Sequence, residues 1–463
     1  MNKILAAIAA TALLGAAYQT QPTLAQDSTK LSNATTDNLD KEVQALVDKV
    51  YPAFVLIGGG SGVCISEDGW MLTNHHVWNE AAAPSKQVVK MAGNNRQFTA
   101  VAVGADPRGD IVLGKLELKE GEKVPYAKLG DSDKVQVGDI CLCIGNPFLL
   151  SGQGSEPTVT LGTVSATHRF QGGYNDSIQI DTSINPGNSG GPSFNIQGEI
   201  IGINGRNIAS HSKRFNTGAG YAIPANQISY FLETMKAQEG KALLVRHGIV
   251  GGLKFDLGYQ KGARITAVAE NTEAADVGFQ VGDVIVKIDD HTIFNGFRYY
   301  GVIGTKPRNS RFTFTVQRGD STVTIVARND VPTESGQFGT VPRPDDEARN
   351  SGGGGLGAMM DPFRLPAMKS SLGFSGSYNT DRKVGGYVIS RLRPTGDNRQ
   401  PLEEAGVAVG DILTHINGRH IMYFADVQDI LIALEPNTEV TVKFIRAGET
   451  KEVTAKTGRP SRR

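Results

Sequence analysis

A chain of 463 residues has room for about three domains of ordinary size, each able to bury a core of its own. Its 47 Lys and Arg balance 47 Asp and Glu, so the formal net charge is zero and nothing in the totals advertises a polyanionic partner; nucleic-acid binding is not expected. Fifty-six glycines and a modest 7% of aromatic residues favour short strands joined by tight turns over long helices.

The chain starts as an export signal would. Lys3 supplies a positive charge, Ile4 to Ala17 is apolar and uncharged, and Thr23-Leu24-Ala25 offers small residues for cleavage after Ala25. That apolar run is shorter than the roughly 20 residues a membrane-spanning helix needs, so residues 1–25 are expected to be a removed signal peptide and the mature protein to be periplasmic or secreted. Within residues 26–52, Leu39, Val43, Leu46, Val47 and Val50 recur at helical spacing and predict a short amphipathic helix.

From Ala53 to about Ile223 the pattern changes to short strands and Gly-rich turns, such as Gly62-Val63-Cys64-Ile65-Ser66 and Glu199-Ile200-Ile201-Gly202-Ile203. With almost no helical period between them, these strands predict a sandwich or barrel. A helix with Ile228, Phe231, Leu232 and Met235 on one face closes the unit near Gly240, giving a domain over 53–240. Three cysteines, Cys64, Cys141 and Cys143, cannot all pair with one another. Cys141 and Cys143 point the same way from one strand, where a mutual bridge would be strained, so buried free thiols are expected. No His or Cys cluster surrounds them, so neither a metal nor any other cofactor is predicted.

The strongest chemical signal is Gly187-Asn188-Ser189-Gly190-Gly191-Pro192. A nucleophilic serine needs a sharp turn that exposes its hydroxyl and backbone N–H groups free to hold an oxyanion, and flanking glycines give both. Alone, the string could be a plain Gly-rich turn. Its context is Thr73-Asn74-His75-His76-Val77 upstream and Asp106-Pro107-Arg108-Gly109-Asp110-Ile111-Val112-Leu113, where a carboxylate opens an apolar strand. The order His, Asp, Ser is rarely met by chance. The Gly-x-Ser-x-Gly spacing also fits an α/β-hydrolase elbow, but that fold needs a helix directly after the serine and Asp and His beyond it. Here Pro192 stands three residues on, the chain continues as strand, and the first later histidine, His211, falls in a polar loop only 22 residues away.

The remainder holds an internal repeat. Gly278-Phe279-Gln280-Val281-Gly282-Asp283-Val284-Ile285 returns 128 residues on as Gly406-Val407-Ala408-Val409-Gly410-Asp411-Ile412-Leu413, each copy followed by an alternating hairpin. Two copies predict tandem domains, over 245–330 and 370–458, rather than a solenoid. Residues 331–369 between them have the Pro, Gly and charge content of a linker. Its end, with Met359, Met360, Phe363, Leu365 and Met368, is either the entry strand of the last domain or a segment that docks elsewhere.

Taken together, Gly60-Ser61-Gly62, Thr-Asn-x-His-Val, Asp-Ile-Val-Leu, Val137-Gly138-Asp139, Ile144-Gly145-Asn146-Pro147-Phe148, Ile184-Asn185-Pro186-Gly187-Asn188-Ser189-Gly190-Gly191 and Ala222-Ile223-Pro224 closely resemble the HtrA/Deg family of trypsin-like serine proteases with two PDZ domains. The resemblance covers nearly all of the mature chain. It implies a mainly β protein: two antiparallel six-stranded β-barrels, then two small α+β PDZ-like domains. It implies His76 as general base, Asp110 as its orienting carboxylate and Ser189 as nucleophile, with the amides of Gly187 and Ser189 as oxyanion hole and Asn188 shaping that turn. In an extended stretch His75 and His76 would face opposite sides, leaving His76 to meet Ser189. Leu149 to Pro157 reads longer than the family's short Gly-rich loop, and Arg206 to Thr217 is individual.

Six positions before Ser189, enzymes of this type that cut after basic residues place an Asp; here stands Ser183, with Ile184 beside it, and the two are expected to line a pocket for small or medium apolar side chains. Asp181 is the one carboxylate close enough to upset this. Ser371-Leu372-Gly373-Phe374 resembles a PDZ carboxylate-binding loop, with Leu372, Gly373 and Phe374 as its peptide-binding residues, and Val250 and Gly251 stand at the poorer counterpart in the first repeat. The expected partners are unfolded or misfolded polypeptides at the protease site and C-terminal peptides at the PDZ domains, and the resemblance implies a homo-oligomer built on trimers. The rival function is a chaperone-like scaffold whose protease site is latent.

Overall fold

A computed structural model describes residues 33–78, 85–93, 96–147, 156–171, 174–207, 218–237, 245–332, 368, 370–379, 381, 384–432 and 434–460. The proposed signal peptide, Phe148 to Ser155, residues 208–217, Gly240 and the apolar linker end except Met368 therefore lie outside the described residues. The lead-in helix expected from apolar spacing runs over Asn33–Val50.

Two closed antiparallel barrels follow, as the resemblance implied, so of the sandwich or barrel that the strand spacing left open it is the barrel that forms. The first comprises β1 (Phe54–Ile57), β2 (Gly60–Cys64), β3 (Trp70–Thr73), β4 (Lys86–Met91), β5 (Gln97–Asp106) and β6 (Ile111–Leu116), hydrogen-bonded in the order β1-β2-β3-β6-β5-β4. The second comprises β7 (Ile140–Gly145), β8 (Thr158–Gln171), β9 (Tyr174–Ile180), β10 (Pro192–Phe194), β11 (Ile200–Asn207) and β12 (Gly220–Pro224), in the order β10-β11-β12-β9-β8-β7. Closure leaves no edge strand exposed to pair with another chain. The helix Ala225–Lys236 then folds back with Ile228, Phe231 and Met235 buried. It lies so close to β5 that a Cβ on Gly104 would sit 2.4 Å from Met235 Cβ.

Cys64 is buried in the first barrel, Cys141 and Cys143 in the second. None is in a disulfide, although Cys141 Sγ and Cys143 Sγ approach to 3.9 Å. Burial alone pushes the Cys64 thiol up to about 12, which keeps it protonated and unreactive.

Each repeat forms a sheet around the predicted hairpin. In Arg311–Arg318 the residues Phe312, Phe314 and Val316 are buried in alternation, and in Glu439–Arg446 Val440, Val442 and Phe444 repeat this. The repeated Gly-Asp has a physical reason. Asp283 turns back to accept the Gln280 amide (2.9 Å) and is forked by Arg318 through Nε and Nη2, both at 2.8 Å. Asp411 does the same with Ala408 (2.8 Å) and Arg446 (2.7 Å twice). Val331–Pro332 pairs with Gly248–Ile249, so the first repeat's chain continues two residues into the stretch read as linker. Met368 packs against both the first-barrel core and the last domain, a docking role for at least that residue of the apolar segment.

Buried polar contacts tie the first repeat to the barrels and the two repeats to each other. His247, fully buried, faces the Asp106 carboxylate with Nε2 (2.7 Å) and the Gly304 carbonyl with Nδ1 (2.5 Å). Asn175 Nδ2 donates to the same carbonyl (2.9 Å), and Arg298 from the helix Gly296–Ile303 is ion-paired with Asp176 of β9. Arg246 pairs with Asp429 in the last domain. Removing one partner of such a buried pair strands the other charge, typically at a cost of about 3–5 kcal/mol.

Candidate active site

Glycine builds the serine turn. Gly187 (φ 103°) and Gly190 (φ 86°) hold left-handed backbone, and a Cβ on Gly190 would lie 2.1 Å from Ser61 O. The first barrel grips this turn through β2. Ser61 N–H donates to Ser189 O (3.0 Å), the Ser61 hydroxyl to Gly187 O (2.7 Å), and Thr73 Oγ1 to Ser61 O (2.6 Å). Ser189 is thereby fixed in the cleft between barrels.

The histidine arrives on different backbone from that expected. His75–Trp78 is a single helical turn, started by Asn74 O accepting from Val77 and Trp78, and not an extended stretch. The alternation argument for choosing between the two histidines therefore does not apply; the turn itself sends the imidazoles in different directions. His76 Nδ1 lies 2.8 Å from Asp110 Oδ2 and 3.0 Å from Oδ1, while its amide donates to Oδ1 (3.0 Å). His75 Nε2 is buried with no hydrogen-bond partner, and burial holds that imidazole below its usual pKa.

Asp110 adopts φ 58°, a conformation Asp tolerates better than most residues, just after a turn in which Asp106 Oδ1 accepts the Gly109 amide (2.8 Å). Its carbonyl is pinned by Asn74 Nδ2 (3.0 Å) and His75 N (3.1 Å). The Asp110 side chain is 1% exposed and that of His76 34%, so the carboxylate is shielded and the imidazole open to substrate. A carboxylate on Nδ1 fixes that nitrogen as the donor and leaves Nε2 able to accept a proton.

Ser189 Oγ donates to Gly205 O (2.9 Å) rather than to His76. Among the described residues, the amides of Gly187 and Ser189 have no protein acceptor, whereas the Asn188 amide is taken by Asn185 O (2.9 Å). Asn188 instead braces the turn, donating Nδ2 to Ser183 O (2.7 Å). The site thus brings together a serine hydroxyl, a carboxylate-bound imidazole and two amides without a protein acceptor among the described residues, the groups that acyl transfer requires.

The pocket residues separate. Ser183 is half-buried, but Ile184 is 2% exposed and packs with Cys141, Cys143, Val164 and Ile180 in the barrel core, so the expectation that its side chain lines a pocket is corrected. After Ser183 the chain turns Ile184 inward, where it also meets Gly220. Asp181 is held away by Thr163, whose hydroxyl donates to Oδ2 (3.0 Å).

In the second repeat, Gly373 (φ 67°) follows the buried Leu372, and its amide donates to Ser371 Oγ (3.1 Å). Phe374 leads the strand Phe374–Tyr378 and its ring meets Phe424 of the helix Phe424–Leu431 at 6.1 Å, spanning the strand–helix groove. In the first repeat Val250 is buried and the Gly251 amide donates to Asp330 Oδ1 (3.3 Å), a carboxylate of the same domain. Among the described residues no cluster of three or more His, Cys, Asp or Glu is arranged to hold a metal.

Sequence reasoning missed Tyr174, whose hydroxyl donates to Asp110 Oδ2 at 2.6 Å. A strand-starting aromatic 64 residues from its partner carries no local signal.

Residues 60–203 match the trypsin-like peptidase domain family, and residues 238–327 and 395–446 each match PDZ domain families. A probable periplasmic serine endoprotease DegP-like from Pseudomonas fulva (strain 12-X) is 32% identical over 416 residues, covering 86% of this chain and 78% of that relative. A relative with the same description from Brucella suis biovar 1 (strain 1330) is 30% identical over 395 residues, covering 82% and 69%. A solved structure described as HtrA-type protease AlgW with tripeptide is 32% identical, with a TM-score of 0.47, over 61% of this chain and 95% of that one.

Proposed function

This chain belongs to the HtrA/Deg family of trypsin-like serine endoproteases with two PDZ domains, and from that premise we propose that Ser189, His76 and Asp110 are its catalytic triad. The observation that carries the reading is the Asp110 carboxylate beneath the exposed His76 imidazole, beside a glycine-built serine turn whose two amides lack acceptors. Rotation of the Ser189 side chain away from the Gly205 carbonyl delivers its hydroxyl to His76 Nε2. The serine then attacks a peptide carbonyl, His76 takes the proton and returns it to the leaving amine, and the Gly187 and Ser189 amides hold the oxyanion. Substrates are unfolded or misfolded polypeptides, since a chain must be extended to enter the cleft. The relatives described as periplasmic support export of this chain, with residues 1–25 as the removed signal peptide. We assign C-terminal peptide capture to the second PDZ domain at Leu372, Gly373 and Phe374.

The rival latent scaffold draws on one observation, the Ser189 hydroxyl bonded to Gly205. A fluorophosphonate probe separates the two. The wild-type protein should be labelled at Ser189 within minutes at neutral pH; a protein that digests casein without labelling there would overturn the triad reading, and one that does neither would favour the scaffold.

Cut sites are expected after small or medium apolar residues. Ser183 offers no carboxylate to an entering cation, and Asp181 is committed to Thr163, so a Lys or Arg would lose hydration without compensation. The preference is loose, because one methylene discriminates by only about 1–3 kcal/mol. Mass spectrometry of casein fragments reads it directly, and a dominant Lys/Arg signature would refute it.

A further inference from the structure

We propose that Tyr174 is a positioning residue of the catalytic centre, its hydroxyl fixing the Asp110 carboxylate that orients His76, and that Gly205 is a glycine so that the Tyr174 ring can stand there. This rests on the triad reading above and adds a fourth side chain to it. The Cβ–Cγ torsion of an aspartate is broad and nearly two-fold, so a carboxylate bound from one side only can swing. Asp110 is held from two. The His76 amide and ring occupy Oδ1 and share Oδ2 from the first barrel, while Tyr174 donates to Oδ2 from the second. At 2.6 Å that bond has the length of a charge-assisted O–H···O⁻ contact, and Tyr174 is 2% exposed, so no water competes for it easily.

The space for the ring comes from Gly205. A Cβ there would lie 2.5 Å from the Tyr174 hydroxyl oxygen, 2.6 Å from Cε2 and 2.7 Å from Cζ, and the buried ring has little freedom to retreat. The same residue's carbonyl accepts the Ser189 hydroxyl, so one glycine adjoins both the nucleophile and the tyrosine that steadies its carboxylate. The start of β9 is itself anchored. Asn175 donates to Gly304 O and Asp176 is paired with Arg298, so the two residues after Tyr174 are fixed to the first PDZ domain. The phenol cannot slide along the strand without breaking both.

The experiment compares Tyr174→Phe, Asp110→Ala and the double variant in the full-length protein, by peptide cleavage and by the rate of fluorophosphonate labelling, with Ser189→Ala as control. Tyr174→Phe should lower kcat about tenfold, the usual scale for losing a hydrogen bond to a charged group, with KM within about twofold. In the Asp110→Ala background the same change should alter the labelling rate by less than about twofold, because the carboxylate it acts through is gone. A tenfold loss that persists without Asp110 would mark a merely structural role and overturn the proposal, as would a kcat within twofold of wild type. Gly205→Ala approaches the same bond from the other side and is judged by the same thresholds should Tyr174→Phe fail to fold. If instead the triad reading were at fault, Ser189→Ala would remain active, whatever Tyr174→Phe does.

Discussion

Ser189→Ala is expected to abolish proteolysis, lowering kcat/KM by at least about 10⁴-fold while leaving the melting temperature within a few degrees of wild type. The oxygen removed makes one hydrogen bond, to the Gly205 carbonyl, and the turn around it is held by the backbone contacts of Ser61 and by glycine conformation. Deleting it removes the nucleophile without loosening that frame. The measurement is cleavage of unfolded casein together with a thermal melt. Near wild-type cleavage by a folded Ser189→Ala protein would end the triad assignment, whereas loss of activity with a collapsed melting temperature would show that the hydroxyl was holding the turn together.

The second large effect separates two neighbouring histidines. His76→Asn should lose about 10⁴-fold or more, because His76 is the imidazole seated on the Asp110 carboxylate. His75→Asn should lose less than about tenfold. The His75 ring accepts and donates nothing at Nε2, and its tie to Asp110 runs through its backbone amide, which the substitution keeps. Parallel assays decide the matter, and the assignment is reversed if His75→Asn is the inactive member of the pair.

Most of the architecture could be read from the chain, because the features that carry it are local. Strand spacing and turn glycines announced a sandwich or a barrel, the family resemblance chose barrels, and a repeated Gly-x-x-x-Gly-Asp announced the tandem domains, whose Asp proves to be forked by an Arg in the following hairpin. The residues misjudged are those whose direction depends on contacts distant in sequence. Ile184 stands next to a turn residue, and which of the two faces the core is decided by Gly220 and the packing of the second barrel. For His75 and His76 the backbone differs, one helical turn that starts at Asn74 where an extended stretch was expected, although His76 is still the one that reaches Asp110. Tyr174, Asn175 and Asp176 look like three ordinary strand residues, yet each serves a different partner: Asp110, Gly304 and Arg298. The sequence pattern carries only the alternation of such residues, and their partners are chosen when the domains dock.

The three unpaired thiols bear on how long the protein lasts. Under the export proposed above, the chain meets oxidants and disulfide catalysts, and an odd number of cysteines offers no closed pairing in which it could come to rest. While folded, Cys64, Cys141 and Cys143 escape this chemistry because a thiol buried inside a barrel is out of reach of a dissolved oxidant. Once the barrels open, Cys141 and Cys143 are two residues apart and Cys64 is left over, free to join another molecule. Heat inactivation in an oxidising medium should therefore be a one-way loss, set by the rate at which the barrels open and not by the equilibrium between folded and unfolded chains.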